Sequence, residues 1–345
     1  MDRETIISVL GDYVEFQTPV GPSDNLPAKC PFHGGGQEKN ASFYVYVGPT
    51  DNHKTTGSSF CHRCGKGWSL RSLLRDLRRG YAEIHNTLSK VGVLNACSSK
   101  LGSGLSALSK PLDLSNPLIP EWLLGAYDYC PKLLLEQGFH KCTLRDFDIG
   151  FDLLHGRVTF PLRDHLGRLV GVSGRTVVGH PIRYKIYKSE INQPNYNLHK
   201  QRLLWNLHDV KLRASQKPLT KPIVLCEGFK AVMWLQQHGY PNALCSLGTS
   251  FSDEQILLIS YLTDTVTLFF DNDKAGVSAA NKAIKRLSKY FLVWVASYPH
   301  AHREDSPDDL SAEEIDHAVI DSHSVTEWRA RYVDVLRGIR RERYE

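Results

Sequence analysis

From Pro222 onward, short apolar runs alternate with stretches of helical period. "PIVLCE", "ALCSL", "TVTLFF" and "FLVWVAS" read as buried strands. Between them lie "FKAVMWLQQHG", which stops at Gly239, then "SDEQILLISYL" and "AGVSAANKAIKRLSKY". "SAEEIDHAVIDS" follows the last strand. Ser252 with Gln255, and Ser311 with Glu314, have the spacing of capping boxes that open two of these helices. Strand–helix alternation at this spacing predicts parallel βαβ units, which bind ligands beyond the strand carboxyl ends.

The pattern upstream is different. "GRVTFPLRDHLGRLVGVSGRTV" alternates as two strands around a turn at Asp164-His165-Leu166-Gly167. "ACSSKLGSGLSALSKPLDLSNP", from Ala96 to Pro117, has the Ser, Gly and Leu content of a linker. The tail "WRARYVDVLRGIRRERYE" reads as a basic amphipathic helix. These shifts predict an α+β multidomain chain: an N-terminal domain over 1–95, a linker over 96–117 and a basic mixed α/β subdomain over 118–220. A Rossmann-like α/β domain then covers 221–322, and a basic helix 323–345.

Composition leaves that picture intact. The chain has 345 residues, 41% hydrophobic and 23% charged, the balance of a globular protein. No apolar run reaches membrane-spanning length. "MDRETIISVLGDYVEF" lacks the basic start and apolar centre of a signal peptide. Eight cysteines in such a chain do not form a secreted disulfide framework, so a reduced, cytoplasmic compartment is expected. Charge adds more. The whole chain carries +5, but His155–Lys217 alone holds 12 Lys/Arg against 3 Asp/Glu. A basic middle beside a slightly acidic remainder suggests a polyanion partner, against the competing reading of a solvated basic face.

Two chemical constellations stand out. "CPFH" supplies Cys30 and His33, and "CHRC" supplies Cys61 and Cys64. Two such pairs are the halves of a tetrahedral zinc site with no open position, hence structural. His62 is an alternative ligand. Cys97, Cys130, Cys142, Cys226 and Cys245 lack such spacing and are expected as packing residues. In the second constellation, Glu227 ends the first strand of the βαβ region, and Asp271 and Asp273 end the third. Glu304, Asp305, Asp308 and Asp309 follow the fourth. Converging carboxylates make a hard-oxygen site for Mg²⁺ or Mn²⁺. The competing reading for any one acid, Asp308 and Asp309 above all, is a helix cap or first-turn residue.

Over roughly residues 1–315 the chain resembles the DnaG-type primases of bacteria and bacteriophages. "CPFHGGGQEKNASF" with "FCHRCGKGWSLRSLLRDL" resembles the family's zinc ribbon. "GRVTFPLRDHLGRLVGVSGR" and "LHKQRLLWNL" resemble the basic motifs of its RNA-polymerase core. "VLCEGFKAV", "SLGTS" and "DNDKAG" resemble the TOPRIM glutamate strand, loop and paired aspartates.

The resemblance implies that Glu227, Asp271 and Asp273 are the metal and catalytic acids. It implies that Arg157, Arg175, Lys185, Lys200 and Arg202 contact template, primer or nucleotide, and that the ribbon reads template. Phe43, Tyr44, Tyr46 and Trp68 are then either base-stacking residues or the ribbon's own core. The implied activity is synthesis of short RNA primers on single-stranded DNA from ribonucleoside triphosphates, with a replicative helicase supplied in trans and no membrane partner.

Three departures qualify it. Ala231 stands where the family has an acid, so a ligand is missing or comes from Asp305 or Asp308. The 27 residues between the metal pairs make a long loop. The chain ends soon after the TOPRIM region, with no helicase-binding domain and no G-x-x-x-x-G-K-[ST] loop, a layout similar to phage or mobile-element members. The alternative function is a non-catalytic zinc/TOPRIM DNA-binding factor of replication or recombination. A topoisomerase would need a large tyrosine-bearing gate domain, for which no room remains.

Overall fold

The computed structural model describes residues 3–11, 13–17, 22–33, 38–49, 56–68, 70, 73, 77, 112–188, 196–216, 219–248, 250–299 and 304–341. The chain forms two compact units, 1–100 and 101–345. Residues 96–111 of the expected linker, with Cys97, lie outside the described residues.

In the first unit, α1 (Arg3–Gly11) accompanies an antiparallel sheet of β1 (Asn25–Ala28), β2 (Phe43–Tyr46), β3 (Ser59–Cys61) and β4 (Lys66–Trp68), in that order. Strand alternation sorts the aromatics. Phe43 is fully buried, Trp68 is nearly so and packs on both Phe32 and Phe43, while Tyr44 and Tyr46 are half-buried. Phe43 and Trp68 therefore serve the small core. Tyr44 and Tyr46 line an open depression with Phe60 and His62.

In the second unit, a 3-10 helix over Glu121–Tyr127 precedes two short helices, α2 (Lys132–Glu136) and α3 (Lys141–Asp146). An antiparallel sheet follows: β5 (Gly150–Asp152), β6 (Arg157–Arg163), β7 (Leu169–Thr176) and β8 (Tyr184–Ile186). The hairpin turn falls where the sequence places it. Asp164 Oδ1 accepts from the N–H groups of Leu166 and Arg168, and Gly167 supplies the positive φ, 83°, that the turn needs.

After α4 (Leu207–Gln216) comes the α/β region: β9 (Ile223–Cys226), α5 (Phe229–Gln237), β10 (Ala243–Cys245), α6 (Asp253–Ser260), β11 (Thr265–Leu268), α7 (Lys274–Leu287), β12 (Leu292–Val295) and α8 (Ala312–Ile320). The sheet order is β10-β9-β11-β12, all parallel, with β13 (His323–Ser324) antiparallel at the β12 edge. Alternating strand residues feed two cores. Val224 and Cys226 face α5 and α8, while Ile223 and Leu225 face α6 and α7. The helices that follow β9 and β11 thus lie on opposite faces. A crevice opens between those two strands at their carboxyl ends, the switch point where such folds place ligands.

Two expectations need correction. The tail is not one helix. It divides into α9 (Val325–Arg331) and α10 (Val333–Arg341), and Trp328 and Tyr332 are buried in the core beside α7. Cys226 and Cys245 pack in the core as expected, but Cys130 and Cys142 are exposed, because α2, α3 and the turns before them are surface elements.

Candidate functional site

In the first unit, Cys30, His33, Cys61 and Cys64 converge: their ligand atoms all lie within 4.8 Å of one another. Cys30 Sγ and Cys64 Sγ are 3.8 Å apart. Two thiolates at about 2.3 Å from one tetrahedral ion would be separated by about 3.8 Å, so this spacing fits a thiophilic four-coordinate metal. His62 is not in the cluster; its ring lies edge-on to Tyr44 and Phe60. The backbone N–H groups of Cys64 and Arg63 and the Ser42 hydroxyl lower the Cys61 thiol pKa against the effect of burial.

One residue of this centre goes beyond the sequence reading. Glu38 hydrogen-bonds His33 Nε2 and also accepts from Ser42 Oγ at 2.9 Å and from the Cys30 N–H at 3.1 Å. Its carboxyl is held down at about 2, first by the Cys30 N–H. An ionised Glu38 fixes the proton on Nε2 and turns the Nδ1 lone pair towards the cysteines. A carboxylate five residues after a ligand histidine is the only sequence signal for it.

In the second unit, Glu227 follows β9, and Asp271 and Asp273 follow β11 on the neighbouring strand. The two aspartates do not share a strand face. The strand stops at Leu268, and Asp273 is the N-cap of α7, its Oδ1 accepting from Gly276 N at 2.6 Å. Gly276 makes the convergence possible. A Cβ there would stand 2.0 Å from Asp271 O and 3.0 Å from Glu227 Oε1.

The carboxylates are crowded. Burial, then the charges of Asp271 and Asp273, pushes Glu227 up to about 7. Burial, then Asp308 and Asp273, pushes Asp271 up to about 6. Glu227 Oε1 is buried with no hydrogen-bond partner among the described residues. A buried, unsatisfied acid oxygen amid like charges is what a hard divalent cation satisfies, so Glu227, Asp271 and Asp273 fit such an ion.

Asp308 lies in the turn Pro307–Asp309 after β12, but its carboxylate pairs with Lys230 Nζ at 2.5 Å. Asp309 Oδ2 accepts from Ser306 N at 2.8 Å, the capping role weighed for it in the sequence. Asp305 is buried, with its backbone oxygen accepting from Asn272 N.

Beside Glu227 is a cleft of about 270 Å³ lined by Lys200, Tyr184, Phe229, Ser173 and Leu247, among others. Leu247 has φ 51°, a backbone strain at the cleft wall. Gln255, which the sequence marks only as a cap, is buried and donates to Leu203 O and Ser246 O, tying the Lys200 segment to the loop after β10.

The expected phosphate-contacting residues separate. Lys200 is exposed and lines the cleft. Arg175 and Lys185 are half-buried, over the rings of Tyr184 and Tyr187. Arg157 is 4% exposed and donates to Gly174 O and Ile182 O. Arg202 pairs with Asp113 and donates to Ser115 O. Arg157 is thus buried and donates to two backbone carbonyls, while Arg202 is half-buried with one guanidinium nitrogen shared between Asp113 and Ser115 O.

Within the second unit, a carboxylate set at the switch point of a parallel sheet is the arrangement expected of a Toprim-like region. A Toprim-like family pattern matches residues 224–310. The DNA primase of Staphylococcus aureus (strain COL) is 26% identical over 349 residues, covering 86% of this chain and 55% of that protein. The DNA primase of Enterococcus faecalis (strain ATCC 700802 / V583) is 23% identical over 356 residues, covering 86% and 53%. The RNA polymerase domain of Mycobacterium tuberculosis primase DnaG superimposes with a TM-score of 0.50 at 20% identity, over 70% of this chain and 91% of that one, and shares its fold. Residues 224–310 are thus Toprim-like, and the chain is similar over 86% of its length to these bacterial DNA primases while spanning just over half of theirs. Among the described residues no helix is long and apolar enough to cross a membrane.

Proposed function

We propose that the chain is a DNA primase, making short RNA primers on single-stranded DNA from ribonucleoside triphosphates. The observation that carries this reading is that Glu227, crowded by Asp271 and Asp273, lines the same cleft as Lys200. A nucleoside triphosphate lying there would meet both a carboxylate and an ammonium. Glu227, Asp271 and Asp273 would hold Mg²⁺ or Mn²⁺, and such an ion, when bound, would supply Lewis acidity for nucleotidyl transfer. Lys200 and Arg175 would balance phosphate charge, and Tyr184 and Phe229 give the cleft its apolar wall.

The same reading gives residues 1–95 to a zinc ribbon that engages template, with Zn²⁺ on Cys30, His33, Cys61 and Cys64. It gives 118–220 to the basic half of the polymerase core, 221–322 to the catalytic half and 323–345 to a C-terminal segment. The replicative helicase acts in trans, and the setting is the cytoplasm. The second reading, a non-catalytic DNA-binding factor, draws on Ala231 and on the Lys230–Asp308 pair.

The test is incubation with single-stranded DNA, labelled ribonucleotides and Mg²⁺ or Mn²⁺. Template-dependent short RNA, absent with Asp271→Ala, supports the primase. DNA binding without product under both metals and with helicase added overturns it in favour of the second reading.

A further inference from the structure

Lys230 brings a positive charge into the carboxylate cluster, and the surrounding packing fixes it there. It is the second residue of α5, its neighbour Ala231 is buried in the core, and its Nζ lies 5.7 Å from the ring of Phe139. That Nζ meets Asp308 Oδ2 at 2.5 Å, with both side chains less than one-fifth exposed. Trp234, one turn further along α5, donates to Leu310 O at 2.8 Å and locks the Pro307–Asp309 turn to the same helix. The pair is therefore preset by two anchored elements, unlike a mobile surface ion pair.

The remaining acids are committed unequally. Asp309 Oδ2 is taken by the Ser306 N–H and Asp308 Oδ2 by Lys230. A seat for an ion on this side of the cluster would have to displace a cation already in place. On the other side, Glu227 Oε1 is buried without a hydrogen-bond partner among the described residues, facing the Asp271 main chain across Gly276.

We propose that Lys230 is a built-in cation of this cluster, standing where a second metal ion would otherwise sit beside Asp308, and that Glu227, Asp271 and Asp273 hold a single divalent ion. The inference rests on the reading of these carboxylates as a divalent-metal site. Lys230 acts as a positioning residue, since it neutralises Asp308 and holds the turn that borders Asp271.

Titration of the zinc-loaded full chain with Mn²⁺, following free Mn²⁺ by electron paramagnetic resonance, tests it. The wild type should saturate at one Mn²⁺ per chain. Lys230→Ala should bind a second ion, and Lys230→Arg should return the ratio to one. Two ions on the wild type, or a folded Lys230→Ala that still binds one, overturn the proposal. Should Lys230→Ala not fold, Asp308→Asn decides: an unchanged ratio of one supports the proposal, and loss of the ion shows that Asp308 is a ligand and overturns it. Metal counting is independent of primer synthesis. A chain that binds one Mn²⁺ and makes no RNA keeps this inference and loses the primase reading; a chain that makes RNA with two Mn²⁺ does the reverse.

Discussion

Tyr332 donates its phenolic hydrogen to Asn272 Oδ1 at 2.5 Å, tying the junction of α9 and α10 to the residue between Asp271 and Asp273. The Asn272 N–H donates to Asp305 O at 2.8 Å, so the loop is held from a second direction. Tyr332→Phe keeps the ring packed beside Trp328 and removes the hydroxyl. A lost buried hydrogen bond costs about 1 kcal/mol, or roughly 3 °C of melting temperature for a unit of this size. Primer synthesis should fall further than that stability loss explains, by about tenfold, since misplacing a reacting group by a fraction of an ångström carries that scale of penalty. Unchanged synthesis at limiting Mn²⁺ would show that the bond does not position the aspartates.

Gly276 is the tightest point of the site. An added methyl would stand 2.0 Å from a backbone oxygen, which cannot rotate away. Gly276→Ala should cost more than about 2 kcal/mol in chemical denaturation, the range for forced backbone shifts in a packed interior. Gly228→Ala is the control: nothing lies within 4 Å of the place its Cβ would take, and its loss should stay within about 0.5 kcal/mol. Equal losses at both sites would mean that the close approach of α7 to Asp271 is not a constraint.

The sequence made the strands legible where burial on both faces leaves only apolar or β-branched residues, as in Ile223–Cys226 and Thr265–Leu268, and the helices legible where Ser252 and Ser311 form capping boxes. The four metal-pair residues could be read because tight turns impose a local spacing. What could not be read depends on partners distant in the chain. Nothing near Arg157 says that its guanidinium meets Ile182 O, 25 residues on, nor does anything near Lys230 announce Asp308, 78 residues on. Basic side chains look alike in sequence whether they face a phosphate or a carbonyl. Only the packing of β6 against β7, and of α5 against the Pro307–Asp309 turn, separates them.

That separation predicts opposite phenotypes. Arg157→Ala leaves Gly174 O and Ile182 O without a buried donor and should destabilise the chain by about 2 kcal/mol. Nucleotide affinity of the folded fraction should remain near that of the wild type. Lys200→Ala, on an exposed residue, should leave the melting temperature within about 1 °C and raise KM for nucleotide several-fold. Thermal melts and steady-state kinetics on the two variants distinguish the roles. A stable Arg157→Ala with weakened nucleotide binding would restore Arg157 to the phosphate contacts.

Glu38 orients His33 without joining the four ligand residues. Glu38→Ala should therefore keep the cluster's four ligands and lower metal affinity by about 10- to 100-fold, the usual effect of removing a partner that orients a ligand histidine. Competition with a chromophoric chelator measures this directly. Affinity equal to the wild type would mean that His33 is held by the fold alone.

Stability of the chain loaded with zinc but free of Mg²⁺ and Mn²⁺ should depend on pH through Glu227 and Asp271. Both bind their proton more tightly in the folded chain, up to about 7 and about 6, through burial first and neighbouring carboxylates second. Their protonated forms therefore contribute stability that is fully present below the ordinary carboxylate range, near pH 4, and is lost as pH rises through 6 and 7. Between pH 5 and 8 the folded chain holds more protons at these groups than the unfolded chain, so the melting temperature should fall, by about 5 °C. Glu227→Gln, which cannot ionise, should flatten the upper part of that fall. Saturating Mn²⁺ should abolish it, because a cation on the cluster removes the repulsion that the proton relieves. A melting temperature that holds level or rises over this range in the metal-depleted wild type would show that burial and the neighbouring acids do not raise these two carboxylates in the folded chain.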